Sequence, residues 1–181
     1  LPHPLGITVS TPRLSWIENQ YPVEVILASR LIKRLDEYPL VVIADWDYVE
    51  PAFVQAAVAY VNRGGRLLLI GSGPAEIFRA TLATAAQVVP GEAPEPFSLR
   101  YHRVGQGLIG VIGKPRNLIF YGQPNATVRD FSASVLRRLF PDPIVNVVGS
   151  HAVDVSLMRT TRGELAVHFV RLVLLVRRPH P

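Results

Sequence analysis

The chain has 181 residues and a net charge of +5; 49% of its residues are hydrophobic and 18% are charged. This length and composition exclude intrinsic disorder and allow one domain of ordinary size with a full core. Because there is no cysteine, disulfides, thiolate metal sites and a cysteine nucleophile are excluded. The basic residues are scattered as singles and pairs, and no run reaches the ~18 apolar residues of a membrane span. We therefore predict neither nucleic-acid nor membrane partners.

Strand-like and helix-like runs alternate through the first half of the chain. Four runs have the composition of strands: Leu5–Ser10, Val23–Leu27, Leu40–Ala44 and Arg66–Ile70. Three runs have helical spacing or helix punctuation: Ala28–Leu35, Pro51–Asn62 and Ala75–Ala86. The alternation predicts βαβ units and therefore a parallel sheet with helices on both faces. The link between the first two strands is short, so we expect its crossover helix to be shortened or absent.

The second half predicts shorter elements. A loop is predicted at Val89–Pro96 and a helix over Val128–Phe140. Further strands are predicted at Leu99–Val104, Leu108–Ile112, Leu118–Tyr121 and Ile144–Val148. A final hairpin has arms His151–Met158 and Glu164–Val170, with alternating apolar residues that indicate one solvated face. We divide the chain into an α/β domain, residues 1–148, and a β-hairpin segment with its tail, residues 149–181.

The stretch Gly105-Gln-Gly-Leu-Ile-Gly110 matches the dinucleotide-binding fingerprint letter for letter. That mechanism needs a helix to begin inside the motif, so that its N-terminus meets the pyrophosphate. The continuation through Gly113 to Pro115 is not a helix start. We therefore interpret the motif as a glycine-rich strand pair and predict no cofactor.

Two acids and two aromatic residues follow the predicted strand Leu40–Ala44: Asp45, Trp46, Asp47 and Tyr48. The acids could form a glycosidase pair or a metal ligand set, and they could equally cap a helix and line a solvated turn. The aromatic residues, together with Trp16, could stack on a sugar ring or pack at a domain edge.

Ser72 lies between a buried strand and a helix, where open α/β sheets bind ligands. A nucleophile elbow would require glycine where Ile70 and Pro74 stand, and it would also require a histidine base. The downstream histidines His102, His151 and His168 have no motif around them. We therefore predict a tight turn with weak anion affinity and assign no catalytic, cofactor or metal residue.

Several stretches resemble a known family. Leu35–Ala44 with Trp46, then Glu50–Val61 and Gly64–Gly71, are similar to the β-galactosidase trimerisation domain. That domain is a flavodoxin-like module of the class I glutamine-amidotransferase type, and it follows the catalytic barrel of some glycoside hydrolases. The hairpin arms resemble the small β segment after that module. The amidotransferase cysteine would fall in the turn Gly71–Pro74, which has none.

The resemblance implies a flavodoxin-like α/β fold and a non-catalytic oligomerisation domain of a carbohydrate-active enzyme. Its partners would be a catalytic barrel in the same parent chain, a second copy, or both. The start at Leu1 predicts a piece of a longer protein. Two alternatives stay open, a degenerate amidotransferase-like hydrolase using Ser72 and a carbohydrate-binding module using exposed aromatic residues. The compartment is left open, because a cysteine-free soluble chain suits the cytoplasm or an exported location.

The predicted helix Pro51–Asn62 supplies a physical motive for a partner. It is apolar on nearly every side, and a helix of that kind is normally buried on more than one face. The alternative is that its alanines are good helix formers on a solvated surface.

Overall fold

A mixed sheet of seven strands forms the centre of an α/β fold. The computed structural model describes residues 5–8, 19–113, 126–147 and 153–171. The strands of the sheet are β1 (Leu5–Thr8), β2 (Val23–Val25), β3 (Val41–Ala44), β4 (Arg66–Ile70), β5 (Gln87–Gly91), β6 (Ser98–Val104) and β7 (Gly107–Gly113). They lie in the order β2-β1-β3-β4-β7-β6-β5. The predicted parallel pairing is confirmed for β2, β1, β3 and β4. In addition, β7 runs parallel to β4, whereas β6 runs antiparallel to both of its neighbours.

Helices cover both faces of this sheet. They are α1 (Ala28–Leu31), α2 (Pro51–Asn62), α3 (Ser72–Ile77), α4 (Arg79–Ala83) and α5 (Ala126–Leu139), with a 3₁₀ turn at Leu35–Glu37. On one face α5 buries Val135, Leu136 and Leu139 against a cluster that contains Leu68. On the other face α1, α2 and Phe78 form a second cluster. None of the helices in the described part of the chain is long and apolar enough to cross a bilayer.

The two central strands are the most deeply buried part of the sheet. All of β3 is inaccessible to solvent, and so are the three leucines of β4. Apolar side chains on both faces suit a strand that has helices above and below it. Val41 lies opposite Leu67 and Ala44 opposite Ile70 in a parallel ladder, so the predicted pairing of these two strands is confirmed.

The bounds predicted for α2 are also confirmed. Pro51 occupies the first turn, where its missing N–H removes no helical hydrogen bond. After Asn62 the chain turns through Gly64, whose φ of +108° lies in a region that favours glycine. The inner face of α2 buries Phe53, Ala57, Tyr60 and Val61.

The Tyr60 hydroxyl connects α2 to the chain around β3 and β4. It accepts a hydrogen bond from the Arg66 N–H at 3.0 Å and donates one to the Tyr38 carbonyl at 2.9 Å. A Cβ at Gly65 would lie 2.4 Å from Cζ of the Tyr60 ring, so only glycine fits beside it. Burial raises the pKa of Tyr60 to about 12, because the phenolate would be poorly solvated there.

Two predicted helices differ from the structure. The helix expected over Ala28–Leu35 ends early, because Leu35 and Tyr38 enter the core from the 3₁₀ turn. The helix expected over Ala75–Ala86 begins at the start of α3 and breaks at Phe78. Phe78 is only 1% exposed, and its placement in the core separates α3 from α4. In both cases tertiary packing overrides the local periodicity.

Two predicted segments in the second half are corrected. The first three residues of the predicted loop Val89–Pro96 belong to β5. Pro90 is tolerated there because β5 is the outermost strand, where proline need not donate a backbone hydrogen bond to a neighbouring strand. The predicted strand Ile144–Val148 is not a strand over residues 144–147, since no described segment pairs with it. The predicted strand Leu118–Tyr121 lies outside the described residues.

The glycine motif forms a hairpin between β6 and β7, as the sequence predicts. Gly105 takes φ +56° at the first position of a two-residue turn, where hairpins favour glycine. A Cβ at Gly107 would lie 2.2 Å from the Val61 carbonyl oxygen and 2.3 Å from that of Gly65. These glycines let the hairpin approach the end of α2 closely, and no helix begins within the motif.

A separate antiparallel pair, β8 (Val153–Arg159) and β9 (Leu165–Arg171), confirms the predicted final hairpin. The ladder sets Val155 opposite Phe169 and Leu157 opposite Val167. One face, here called the apolar hairpin face, carries Val153, Val155, Leu157, Leu165, Val167 and Phe169, with Arg159 and Arg171 at its two ends. Residues 148–152 and 172–181, including His151, lie outside the described residues.

Candidate site at the carboxyl edge of the sheet

The sequence-predicted site residues gather at one edge of the sheet. Asp45–Tyr48 follow β3, and Gly71–Gly73 follow β4, which is its parallel neighbour. The chain passes from β1 outward to β2 and then to β3 on the other side of β1. In open α/β sheets ligands bind outside the carboxyl ends of the two strands where the order reverses, which here are β1 and β3. Asp45–Tyr48 follow one of these two strands, and Gly71–Gly73 lie one strand further along the sheet. Residues 45–48 and 71–73 are here called the carboxyl-edge site.

Both chain segments leave their strands through unusual backbone conformations. Asp45 has φ +54°, a left-handed conformation that aspartate tolerates better than most residues, and its N–H donates to the Ile70 carbonyl at 2.9 Å. Gly71 has φ +94°, and its N–H donates to the Ile112 carbonyl at 2.9 Å. The two turns therefore lie side by side and are fixed by main-chain hydrogen bonds to the neighbouring strands.

The two glycines bring the acidic turn against the start of α3. A Cβ at Gly71 would lie 2.8 Å from Oδ1 of Asp45. A Cβ at Gly73 would lie 2.3 Å from the Trp46 carbonyl oxygen and 2.8 Å from Oδ1 of Asp47. Both carboxylates thus approach the first turn of a helix, where the peptide dipoles favour negative charge. Both aspartates are exposed at this turn, and the helix cap that the sequence allowed stays a prediction.

The two aromatic residues of the site differ in their exposure to solvent. Trp46 is half-buried and packs against the core cluster of α2, whereas Tyr48 is 72% exposed. Sugar recognition by stacking would require flat rings exposed together on one surface. Of the pair, Tyr48 alone is exposed, so the two rings do not form one stacking surface. Trp16 lies outside the described residues.

The ladder separates Ser72 from His102. The Gly71 N–H bonds to Ile112, which lies opposite Leu99 in β6. His102 is three residues further along β6, about 10 Å away along the strand, and β7 lies between β6 and β4. Ser72 and His102 are therefore beyond hydrogen-bond reach of each other in this arrangement.

His102 has a structural environment of its own, on the opposite side of β6 from Tyr101. Burial lowers its pKa below the usual value, while a hydrogen bond to the Leu82 backbone acts in the opposite direction and the charge of Arg100 lowers it further. Its Nδ1 atom is buried and has no hydrogen-bond partner among the described residues. A histidine placed in this way favours the neutral form.

The carboxyl-edge site offers two exposed carboxylates, a serine hydroxyl and one exposed phenol. Among the residues that the structure describes, no three histidine, aspartate or glutamate side chains form a group that could hold a metal ion. The chemistry available here is hydrogen bonding to a polar group, and His102 is out of reach of the Ser72 hydroxyl.

Two features escaped the sequence analysis. The exposed large apolar residues of the second half lie mainly on the hairpin, where Phe169 is 60% exposed. Arg66 of β4 and Arg138 of α5 are far apart in sequence, and the Arg66 Nη1 donates to the Arg138 carbonyl oxygen at 3.2 Å. Alternation along β4 could have placed Arg66 on one face of the sheet, but only the packing shows that the end of α5 lies beside it.

Comparison with known proteins was made with the sequence and with the fold. No family model and no curated protein sequence matches this chain. Its fold is similar to a β-galactosidase from Bacillus circulans sp. alkalophilus, with a TM-score of 0.55 over 84% of this chain at 12% identity. It is also similar to a β-galactosidase from Rahnella sp. R3, with a TM-score of 0.57 over 87% at 13% identity. A catalytic mutant of a GH42 β-galactosidase from G. stearothermophilus gives 0.57 over 87% at 14% identity.

These similarities cover most of this chain and a minor part of each enzyme. The chain spans 33%, 34% and 33% of the three β-galactosidase chains. At such low identity the likeness establishes a shared fold.

Proposed function

We propose that this chain is a non-catalytic ancillary domain of a carbohydrate-active enzyme, a glycoside hydrolase of the β-galactosidase type, and that it acts through contacts with other protein domains. The observation that carries the proposal is the fold similarity to several β-galactosidases over 84–87% of this chain. Because the chain spans only a third of each enzyme, the likeness is to one part of a larger architecture. A catalytic barrel in the same parent chain would supply the remaining part.

The topology supports a finer assignment within this proposal. The order β2-β1-β3-β4-β7 is the 2-1-3-4-5 order of doubly wound, flavodoxin-like sheets. We assign residues 1–148 to a flavodoxin-like domain of the amidotransferase type, similar to the β-galactosidase trimerisation domain, and residues 149–181 to the hairpin segment and tail. The antiparallel β6 and β5 extend that sheet on one side.

The hairpin supplies the surface on which we base the contact. On the apolar hairpin face, Phe169 is 60% exposed and Leu165 is 46% exposed. Val155 of the same face is buried. Large apolar side chains exposed side by side are typical of surfaces that bind another protein. A catalytic barrel, a second copy, or both would cover this face in the assembled enzyme.

The sequence predicts the protein-binding surface on α2, whereas the exposure of the side chains favours the hairpin. The solvent-facing positions of α2 are alanine, glutamine and asparagine, at Ala52, Gln55, Ala59 and Asn62. Val54 and Val58 are half-buried against the core. None of the large apolar side chains exposed in the described residues belongs to α2. A solvated alanine-rich face accounts for α2 without a partner.

Two measurements on the full chain test the proposal. Sedimentation over a wide concentration range should show association that Phe169→Ser weakens. Val88→Ser is the matched control, because Val88 is 49% exposed on the outermost strand of the main sheet. A chain that stays monomeric and binds no apolar dye at the hairpin would contradict the contact. Hydrolysis of an aryl β-galactoside that disappears in Ser72→Ala would contradict the non-catalytic assignment.

A further inference from the structure

The end of α4 is attached to β6 by two hydrogen bonds. The His102 ring lies on the face of β6 away from α5, and it bonds to the Leu82 backbone in α4. Three residues after α4 ends, the Ala86 N–H donates to the Arg103 carbonyl at 2.9 Å. Residues 79–86 therefore meet β6 at two neighbouring positions, and one of the two bonds comes from a titratable side chain.

α4 itself contributes little to the core. None of its five residues is buried, and Leu82 is only partly buried against the core cluster of α2. A helix of this length is not stable in water without tertiary contacts. Two fixed points bound it: Phe78, which is 1% exposed, and Gln87 of β5, which lies opposite Arg103. Residues 79–86, here called the α4 segment, can therefore open without unfolding the sheet.

The hydrogen bonds of the His102 ring determine which nitrogen carries its proton. A neutral imidazole has one donor and one acceptor nitrogen. The bond to Leu82 favours the charged ring, so the ring is the donor and the Leu82 carbonyl is the acceptor. Nδ1 is buried and has no hydrogen-bond partner in the part of the chain that the structure describes, so Nε2 is the donor. A second proton has to enter on Nδ1, where no described group accepts it.

The charged groups that the structure describes around the ring do not compensate such a proton. Arg100 lies two residues away on the same face of β6, and its charge disfavours a charged ring. β5 and β7, on either side of His102, contain no titratable side chain. The only charged residue of α4 is Arg79, which pairs with Glu76 of α3 at 3.3 Å. Burial therefore lowers the pKa of the ring more than the bond to Leu82 raises it.

We propose that His102 is an acid-sensitive latch, and that protonation of its ring on Nδ1 releases the α4 segment from β6 while the main sheet stays folded. In the closed state the neutral ring holds the Leu82 carbonyl. In the open state the ring is solvated and binds a proton at the ordinary pKa of histidine, 6.5. The open state thus binds the proton first, so opening increases as the pH falls below that value and levels off below the lowered pKa of the closed state. Opening exposes Leu82 and Ala85, and it does not depend on the proposed function of the chain.

Hydrogen exchange of single amides, followed by NMR on the full chain, provides the test. The Ala86 N–H reports opening of the α4 segment, and the Gly71 N–H, which donates to the Ile112 carbonyl, reports unfolding of the main sheet. After correction for the intrinsic pH dependence of exchange, opening at Ala86 should be several-fold greater at about pH 5 than at about pH 7.5. It should also depend weakly on added urea, because little surface is exposed, whereas exchange at Gly71 should depend on urea strongly.

Two variants and one titration complete the experiment. His102→Gln should remove the increase in acid, because glutamine can donate to the Leu82 carbonyl and does not titrate. His168→Gln is the matched control, since His168 is exposed on β9, and it should keep the increase. In the parent chain the NMR signal of the His102 ring should titrate at a lower pH than that of His168, a measurement that needs no variant to fold.

Four results would each overturn the latch. They are exchange at Ala86 with the urea dependence of Gly71, opening that does not increase in acid, an increase that persists in His102→Gln, and a His102 ring that titrates like His168.

Discussion

Replacing Tyr60 by phenylalanine removes one oxygen atom from a site that is 97% buried, since Tyr60 is 3% exposed. That oxygen accepts from the Arg66 N–H and donates to the Tyr38 carbonyl. Each buried backbone group left without a partner costs about 1–3 kcal/mol. We therefore expect Tyr60→Phe to lower the free energy of unfolding by about 2–6 kcal/mol at neutral pH.

The same substitution should change the alkaline stability in the opposite direction. The folded chain holds the Tyr60 proton up to a pKa of about 12, whereas the unfolded chain releases it near 10.0. Above pH 10 the unfolded state binds fewer protons, so stability falls as the pH rises toward 12. At pH 11 this single group lowers the free energy of unfolding by about 1.4 kcal/mol, and Tyr60→Phe lacks that loss.

Urea unfolding at neutral pH and at pH 11 measures both effects. Tyr48→Phe is the control, because Tyr48 is 72% exposed and its hydroxyl is at the surface. The difference between the parent chain and Tyr60→Phe should be larger at neutral pH than at pH 11. If Tyr60→Phe unfolds like Tyr48→Phe at neutral pH, the hydroxyl does not stabilise the two backbone groups and the reasoning is wrong.

We expect three further results, from substitutions at Gly107, His102 and Arg63. Gly107→Ala should prevent folding or lower the free energy of unfolding in urea by more than ~3 kcal/mol, because its Cβ would meet two carbonyl oxygens closer than 2.5 Å. Gly110→Ala should cost less, because its Cβ would meet the ends of two leucine side chains, at 3.0 and 3.2 Å. The pKa of His102 is lowered in the folded chain, so the unfolded chain binds this proton first as the pH falls. The free energy of unfolding should therefore decrease as the pH drops below about 6.5. In circular dichroism melts, His102→Gln should be less sensitive to acid than the parent chain. Arg63→Gln should lower the free energy of unfolding by less than about 1 kcal/mol, because the salt bridge from Arg63 to Asp36 is exposed. In urea unfolding at high salt this difference should vanish.

The elements that sequence patterns predicted are those whose determinants are local. An uninterrupted apolar run such as β3 requires cover on both faces, and the proline and glycines around α2 mark its ends. The break at Phe78 and the strand containing Pro90 depend on contacts with distant residues. A local pattern contains no information on those contacts, so both were predicted incorrectly.

The carboxyl-edge site and the contact between Arg66 and the end of α5 differ in the same way. Asp45 and Gly71 could be placed together in advance, because carboxyl ends of neighbouring parallel strands meet at one edge. The left-handed backbone of Asp45 could not be predicted, since it depends on the hydrogen bond to Ile70. The contact between Arg66 and Arg138 requires α5 to pack on the face of β4 that carries Leu68, which no local pattern states.

The edges of the two sheets have different consequences for aggregation. The main sheet ends on one side in β2, which has three residues, and on the other in β5, where Pro90 cannot donate a hydrogen bond. Short strands and prolines make poor templates for a strand from another molecule. β8 and β9 have seven residues each, and among the described residues each pairs on one side only. When the chain is concentrated, strand exchange between molecules should therefore begin at the hairpin, and lysine substitutions along β9 should suppress it without disturbing the main sheet.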